Sequence, residues 1–278
     1  MEQIINLNNK IIDISKPIIM AIVNVTPDSF YSGNSFTTKD ELLFHTEKAL
    51  KQGATIIDIG AQSTRPNALL INENEEAKRL VFALDLIRKE FGNIPISVDT
   101  FYASIAQLAV SEYDVAMIND VSGGNFDKEM FSTVSSLKTA YILTHSRGDA
   151  TNMQNLTDYN DIVSDILSFF QLKIHQLRNL GVNDIVIDPG FGFAKTREQN
   201  FILLKKLDYF KEINIPILCG ISRKSMIYNT LQTTAAESLN VTTAANMLAL
   251  QGGARILRVH DVWAAKEAIT IFNEYLDA

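Results

Sequence analysis

Ile94-Pro95-Ile96-Ser97-Val98 gives way to Phe101–Val110, spaced as a helix, and then to a second short apolar run, Val115-Ala116-Met117-Ile118. Two strands apolar on both faces with a helix between them are the pattern of a parallel βαβ unit. The alternation extends both ways. Strands are expected upstream at Ile18–Val23 and Thr55–Ile59, and downstream at Ala140–Leu143, Ile185–Ile187, Ile215–Leu218 and Ile256–Val259. Helical spacing runs through Asp40–Gln52, Glu73–Glu90, Asp127–Leu137, Asp158–Leu180, Thr196–Tyr209, Ala235–Leu250 and Ala264–Tyr275. Thr38 or Asp40 can cap the first of these helices, and Gly53 stands where a C-terminal glycine stop belongs.

Eight βα units in about 250 residues predict an α/β fold of the (β/α)8 class, a TIM barrel. An open doubly wound sheet would carry a Gly-rich turn after its first strand, where this chain has Asn24-Val25-Thr26-Pro27-Asp28. The leading segment Gln3–Ile14, with Asn8-Asn9-Lys10 between two apolar runs, predicts an N-terminal β-hairpin closing the lower end of the barrel. No Pro/Gly/Ser-rich linker interrupts the chain, so residues 1–278 are expected to form a single domain.

Composition narrows the function classes. Apolar residues make up 46%, enough for a sizeable core, and 25 Lys+Arg against 32 Asp+Glu give a net charge of −7. That charge argues against a nucleic-acid protein relying on a broad basic surface, so an anionic ligand would need a local cluster of cations. The one cysteine, Cys219, excludes an intrachain disulfide and fits a reducing compartment. No apolar run approaches the ~18 residues of a membrane span, and Met1–Ser15 lacks a signal-peptide core. A cytoplasmic protein without membrane or nucleic-acid partners is expected. P-loop and paired-His zinc motifs are absent from the sequence.

In a (β/α)8 barrel the site lies at the C-terminal ends of the strands. Those ends read Asn24, Asp58, Asp99, Asn119 with Asp120, His145, Asp188, the turn Ser222-Arg223-Lys224, and Arg258 with His260. Asp99, Asn119 and Asp188 suit a flat heterocycle with N–H and C=O edges, a purine or a pterin. Arg65, Lys224, Arg258 and His260 suit a phosphate or diphosphate, although each alone reads equally well as an ion-pair partner of a nearby carboxylate. The long segment Asn24–Thr37 and the segment Gly60–Asn72 are candidate closing loops.

Seven motifs, in order along the chain, resemble those of the dihydropteroate synthases. They are Asn24-Val25-Thr26-Pro27-Asp28-Ser29-Phe30, Ser63-Thr64-Arg65-Pro66, Ser97-Val98-Asp99-Thr100, Ile118-Asn119-Asp120-Val121-Ser122-Gly123-Gly124, Asp188-Pro189-Gly190-Phe191-Gly192-Phe193, Ser222-Arg223-Lys224-Ser225 and Arg258-Val259-His260-Asp261. That family joins 6-hydroxymethyl-7,8-dihydropterin diphosphate to 4-aminobenzoate. The resemblance implies pterin contacts at Asp99, Asn119, Asp188 and Lys224, and a diphosphate site at Asn24, Arg258 and His260, with Asn24 also the Mg²⁺ ligand. It implies a 4-aminobenzoate pocket of Thr64, Arg65, Pro66, Phe193 and Ser225. Asp99, Lys224, Arg65 and Asp188 are then the catalytic set, and a homodimer is implied.

The sequence departs from the family pattern in the second loop. Ala61 and Gln62 stand where Gly and Glu are usual, and Asn67 follows Pro66 in place of Gly. Thr144-His145-Ser146 replaces a more usual Met-His-Met run. The loop changes keep open a protein that binds pterin diphosphate without transferring the amine. A methyltetrahydrofolate methyltransferase would share the carboxylate and amide contacts but would not need the Asn24–Phe30 run or the Arg258-Val259-His260 anchor.

Overall fold

The computed structural model describes residues 4–8, 10–25, 38–62, 70–149 and 151–278. A hairpin of β1 (Ile4–Leu7) and β2 (Lys10–Asp13) leads the chain. Eight parallel strands then close into a barrel: β3 (Ile18–Asn24), β4 (Ile56–Gly60), β5 (Ile96–Asp99), β6 (Met117–Asp120), β7 (Ala140–Thr144), β8 (Ile185–Asp188), β9 (Ile217–Cys219) and β10 (Ala254–Val259), which returns to β3. The helices between them are α1 (Lys39–Gln52), α2 (Glu73–Phe91), α3 (Ala103–Tyr113), α4 (Met130–Leu137), α5 (Ile162–Asn179), α6 (Arg197–Lys205), α7 (Ser225–Tyr228), α8 (Leu239–Gly252) and α9 (Val262–Asp277).

The expected barrel and hairpin are present, with local differences that have physical causes. A short extra helix, α7, precedes α8, so the described residues hold nine α-helices where eight were expected. Helices expected to begin at Asp127 and Asp158 begin later because acidic side chains hold the entering chain. Asp127 accepts from the backbone N–H groups of Ala103 and Glu129, and Asp161 caps α5 by accepting from Ser164 N. The helix expected over Thr196–Tyr209 stops at Lys205 and continues as a 3-10 segment, Leu207–Ile213. Thr38 caps α1 through its side chain, as expected. No described helix is long and apolar enough to cross a membrane.

Side chains two apart on a strand share a face, and in this barrel the inward column changes chemistry from bottom to top. Met20, Ile56, Met117, Ile142, Val186, Leu218 and Ile256 pack with Ile5, Leu7 and Ile14 of the hairpin segment into one apolar cluster. Two residues further along their strands stand Asp58, Asn119, Thr144, Asp188 and Arg258. The hairpin is latched below the barrel by Asn6 N donating to Asp184 Oδ1 at 2.8 Å and Lys10 Nζ to Asn93 O at 2.9 Å. Odd and even strand positions therefore build two cores, one inside the barrel and one between barrel and helices.

Candidate active site

Strand register sets the mouth of the barrel. Asn24 of β3 lies opposite Gly60 of β4, Gly60 opposite Asp99 of β5, and Asp99 opposite Asn119 of β6. Arg258 enters β10 one layer lower, beside Met20, and its long side chain reaches up into this row. Its Nε donates to Asp58 Oδ2 at 2.6 Å and its Nη2 to Asp99 Oδ2 at 2.8 Å. Asn119 Nδ2 donates to the same Asp58 oxygen at 3.1 Å. Asp58 thus holds the orientation of a cation and an amide at once. Its other oxygen, Oδ1, is buried without a protein partner, as are Ser97 Oγ and Thr144 Oγ1. Such orphaned polar groups are costly in a finished core and ordinary in a site awaiting a polar ligand.

The opposite wall is the turn after β8. Asp188 Oδ1 accepts from Gly190 N at 2.8 Å, which fixes its carboxylate at the strand end. Lys224, from the turn after β9, donates to the backbone oxygen of Phe191 and places its Nζ 4.4 Å from the centre of the Phe193 ring. Gly192 makes this approach possible: its φ of 81° is left-handed, and a Cβ there would lie 3.2 Å from Lys224 Cδ. Beside Phe193 an apolar groove opens between Gln62, Leu70, Phe101, Phe126 and Met153.

Burial governs the charges. It pushes the Asp99 carboxyl up to about 7 against the pull of Arg258, and raises Asp188 against the pull of Lys224. It lowers Lys224 to about 8, with Asp188 opposing. Burial also works against the charge on Arg258, but Asp58, Asp99 and Asp188 together hold its pKa above the ordinary value. Of the cations expected at the mouth, Lys224 and Arg258 lie there among the described residues, set against Asp58, Asp99 and Asp188, and Arg65 lies outside those residues. An electron-rich floor of this kind favours a ligand that carries or develops positive charge.

Most sequence candidates converge here, and some do not. Asn24, Asp58, Asp99, Asn119, Asp188, Lys224 and Arg258 surround the mouth. The ring of His260 is fixed from the β9 side, where Ser222 Oγ meets its Nδ1 at 3.0 Å and accepts from its backbone N at 3.2 Å. Ser225 begins α7 and is exposed. Asp120 turns away from the barrel axis, because its oxygens take the N–H groups of Ser122 and Gly124 and the Tyr141 hydroxyl. Arg223 pairs with Asp261 through two hydrogen bonds of 2.9 and 2.7 Å. Cys219 is a buried free thiol. Thr64, Arg65, Pro66, Asn67 and Asp28 lie outside the described residues.

Two groups went unread in the sequence. Lys195 is 3% exposed, although it sits just before a helix cap where a solvated lysine is the ordinary expectation. Glu76 of α2 is fully buried behind β5 and accepts from Thr100 Oγ1 at 2.5 Å. Only the apolar residues around Glu76 on its helix hinted at its inward face. The Gln62 substitution has a local use: its Oε1 accepts from Ile71 N at 3.0 Å, tying the first end of the second loop to its last.

No cluster of three or more His, Cys, Asp or Glu suited to a metal occurs among the described residues. A Mg²⁺ ion bound mainly by phosphate and water needs only one or two protein oxygens, and Asn24 meets that lesser demand. The space a Cβ at position 60 would fill lies 3.2 Å from Asn24 Oδ1 and 3.7 Å from Asp99 Oδ2, so Gly60 leaves an open cradle beside the amide oxygen.

Comparison with known proteins agrees with this geometry. A family model described as pterin binding enzyme matches residues 20–260. A dihydropteroate synthase of Synechocystis is 41% identical over 249 residues, covering 88% of this chain and 86% of that protein. The crystal structure of Yersinia pestis dihydropteroate synthase with a sulfonamide drug superposes with a TM-score of 0.93 at 33% identity, over 99% of this chain and 100% of that one. The Xanthomonas albilineans enzyme with 4-aminobenzoic acid gives a TM-score of 0.90 at 32% identity over the whole of both chains. A match from the first barrel strand to the last, joined to an interior whose polar groups lie at the mouth, places the chain in the pterin-binding enzymes, and within them it belongs to the dihydropteroate synthases.

Proposed function

We propose that the mouth of this barrel joins 6-hydroxymethyl-7,8-dihydropterin diphosphate to 4-aminobenzoate by an SN1-like substitution, releasing diphosphate and 7,8-dihydropteroate. As a dihydropteroate synthase the chain is a transferase of folate biosynthesis. The observation that carries the assignment of residues is the ring of buried acceptors, Asp58, Asp99 and Asp188, with Asn119 among them and polar atoms left orphaned. A pterin edge rich in N–H groups supplies the missing donors.

Asp188 takes the amino-pyrimidine edge, with Asn119 and Lys224 completing the contacts around the ring. Arg258 commits Nε and Nη2 to Asp58 and Asp99, and its remaining guanidinium hydrogens, with His260, take diphosphate oxygens. Asn24 presents its amide oxygen to Mg²⁺. When bound, the ion supplies positive charge to the departing diphosphate. As the C–O bond to the pterin methylene breaks, the positive charge left on the pterin is steadied by Asp99. The aromatic amine, neutral near pH 7, then forms the C–N bond and loses one proton, so no strong side-chain base is needed. Thr64, Arg65 and Pro66, with Phe193 and Ser225, hold 4-aminobenzoate. The loops after β3 and β4 exclude water that would trap the cation.

A sulfonamide, the drug class bound in the Yersinia pestis structure, would compete with the amine. The protein works in the cytoplasm as a single-domain subunit of a homodimer, with exposed Leu248, Trp263, Ile271 and Tyr275 of α8 and α9 as the pairing face.

The test is incubation with dihydropterin diphosphate, Mg²⁺ and 4-aminobenzoate, following diphosphate and dihydropteroate together. Equal release of both is expected. Tight binding of the pterin ester with no dihydropteroate would favour the non-catalytic pterin-binding alternative.

A further inference from the structure

Lys195 is a buried lysine that the proposed mechanism does not use. Its Nζ lies 2.9 Å from Gly190 O, 3.0 Å from Phe193 O, 3.4 Å from His145 O and 3.0 Å from His145 Nδ1. No carboxylate is among these hydrogen-bond partners. Its N–H donors therefore meet a cage of backbone carbonyls and one imidazole, and burial pulls the Lys195 pKa well below the ordinary lysine value. Burial holds His145 neutral, with Lys195 and Arg147 adding to the effect. Facing an amine donor, Nδ1 is the acceptor and the ring proton sits on Nε2.

The cage encloses one particular turn. Gly190 and Phe193 are its ends, joined by Phe193 N donating to Gly190 O at 3.1 Å. Their carbonyls face Lys195, while that of Phe191, one of the two between them, faces Lys224. Two lysines thus grip different carbonyls of a single turn. There is no slack on the β7 side: a Cβ at Gly190, whose φ is 73°, would lie 2.0 Å from His145 O. Beyond the turn, Ala194 O accepts from the Tyr159 hydroxyl at 3.0 Å, and Gly192 N donates to Asn200 Oδ1 at 2.7 Å.

We infer that Lys195 is a positioning residue for the aromatic amine: by drawing the Gly190 and Phe193 carbonyls down onto the end of β7, it sets the Phe193 ring beneath Lys224 and so fixes one wall of the 4-aminobenzoate site. Asp188 is held by its place in β8 as well as by Gly190 N, and Asp99 and Asn119 lie on β5 and β6, so Lys224 is the pterin contact tied most directly to the clamped turn. The inference rests on the proposed synthase reading and on Phe193 lining the amine pocket.

Without the Lys195 side-chain nitrogen, Gly190 O keeps its bond from Phe193 N, but Phe193 O loses its donor, and the turn can relax away from Lys224. The experiment compares wild type with Lys195→Met in steady-state kinetics on both substrates, with calorimetric binding of the pterin diphosphate alone. The expected result is a rise of about tenfold or more in KM for 4-aminobenzoate, with a smaller change in kcat and pterin diphosphate affinity within about threefold. Unchanged KM for the amine, or an equal loss for both substrates, overturns the inference. If Lys195→Met does not fold, Lys195→Gln keeps two N–H donors on a shorter stem and should show the same split, smaller in size; no split there is equally fatal. Wild-type protein that makes no dihydropteroate would defeat the synthase reading itself, which is a separate outcome.

Discussion

The same strands carry opposite chemistry at their two ends. At the lower end of the barrel, Met20, Ile56, Met117, Val186 and Ile256 meet Ile5 and Leu7 of the hairpin in an apolar cluster. Two residues higher on the same inward face, Asp58, Asn119, Asp188 and Arg258 replace them. The lower end gains from removing apolar surface from water, roughly 25 cal/mol per Å². The upper end bears the cost of burying carboxylates, as the raised Asp99 and Asp188 record. The barrel thus separates stability from function by a displacement of two residues per strand. Substitutions at the lower end should unfold the protein without touching its chemistry, and substitutions at the mouth should do the reverse.

The largest expected effect is at the mouth. Asp99→Asn keeps the shape and one acceptor for Arg258 but removes the charge assigned to steadying the cationic pterin. A fall in kcat/KM of about 10²–10³ is expected, the scale seen when a preorganised electrostatic group is lost. Arg258 keeps its 2.6 Å bond to Asp58, which limits the cost of an unbalanced buried charge, so the melting temperature should move less than in the hairpin variant described next. Full turnover by Asp99→Asn, or collapse of the fold, would erase the contrast between the two ends.

The reciprocal substitution is Leu7→Ala in β1. Leu7 is 1% exposed within the lower cluster, and truncating a buried leucine costs about 2–5 kcal/mol. Denaturant titration should show that loss, while turnover per folded molecule stays within about twofold of wild type. A drop in turnover matching that of the mouth variant would mean that the plug and the site are mechanically coupled.

The fold was legible because its signal repeats. A buried parallel strand shows as a short run of Ile and Val, a helix as a 3.6-residue period, and eight successive copies leave few alternatives. The hairpin was legible from Asn8-Asn9-Lys10 for the same local reason. The site was legible only where a polar residue ended a strand, as at Asp99, Asn119 and Asp188. Asp58 shows the limit of that rule: its strand-end place marked it, but that it holds Arg258 and Asn119 depends on side chains 200 and 61 positions away. Lys195 was invisible because burial of a charged residue there comes from packing across elements, and Glu76 showed only through the face it shares with Leu80, Ala83, Leu84 and Ile87 on α2. The helix count erred at α7, where the turn after β9, with Arg223 at a φ of 56°, starts a four-residue helix too short to show periodicity.

Glu76 provides the finest test of the comparison, through pH. Its carboxyl lies behind the mouth with Oε2 lacking a protein partner, and burial raises its pKa from 4.5 to about 7. Between those two values the folded protein retains a proton that the unfolded chain has released. Stability contributed by this group therefore falls as pH rises from about 4.5 to about 7, then levels off, with a slope of at most ~1.4 kcal/mol per pH unit. The apolar cluster at the lower end of the barrel holds no buried acid among the described residues and contributes no such slope. Glu76→Gln retains an acceptor for Thr100 and cannot titrate, so denaturation midpoints measured from pH 5 to pH 8 should show the variant gaining on wild type as pH rises. A difference that stays constant over that range would mean that Glu76 keeps one protonation state throughout. The pH dependence of the fold would then have to come from other buried groups, with Asp99, Asp188 and Lys224 at the mouth among them.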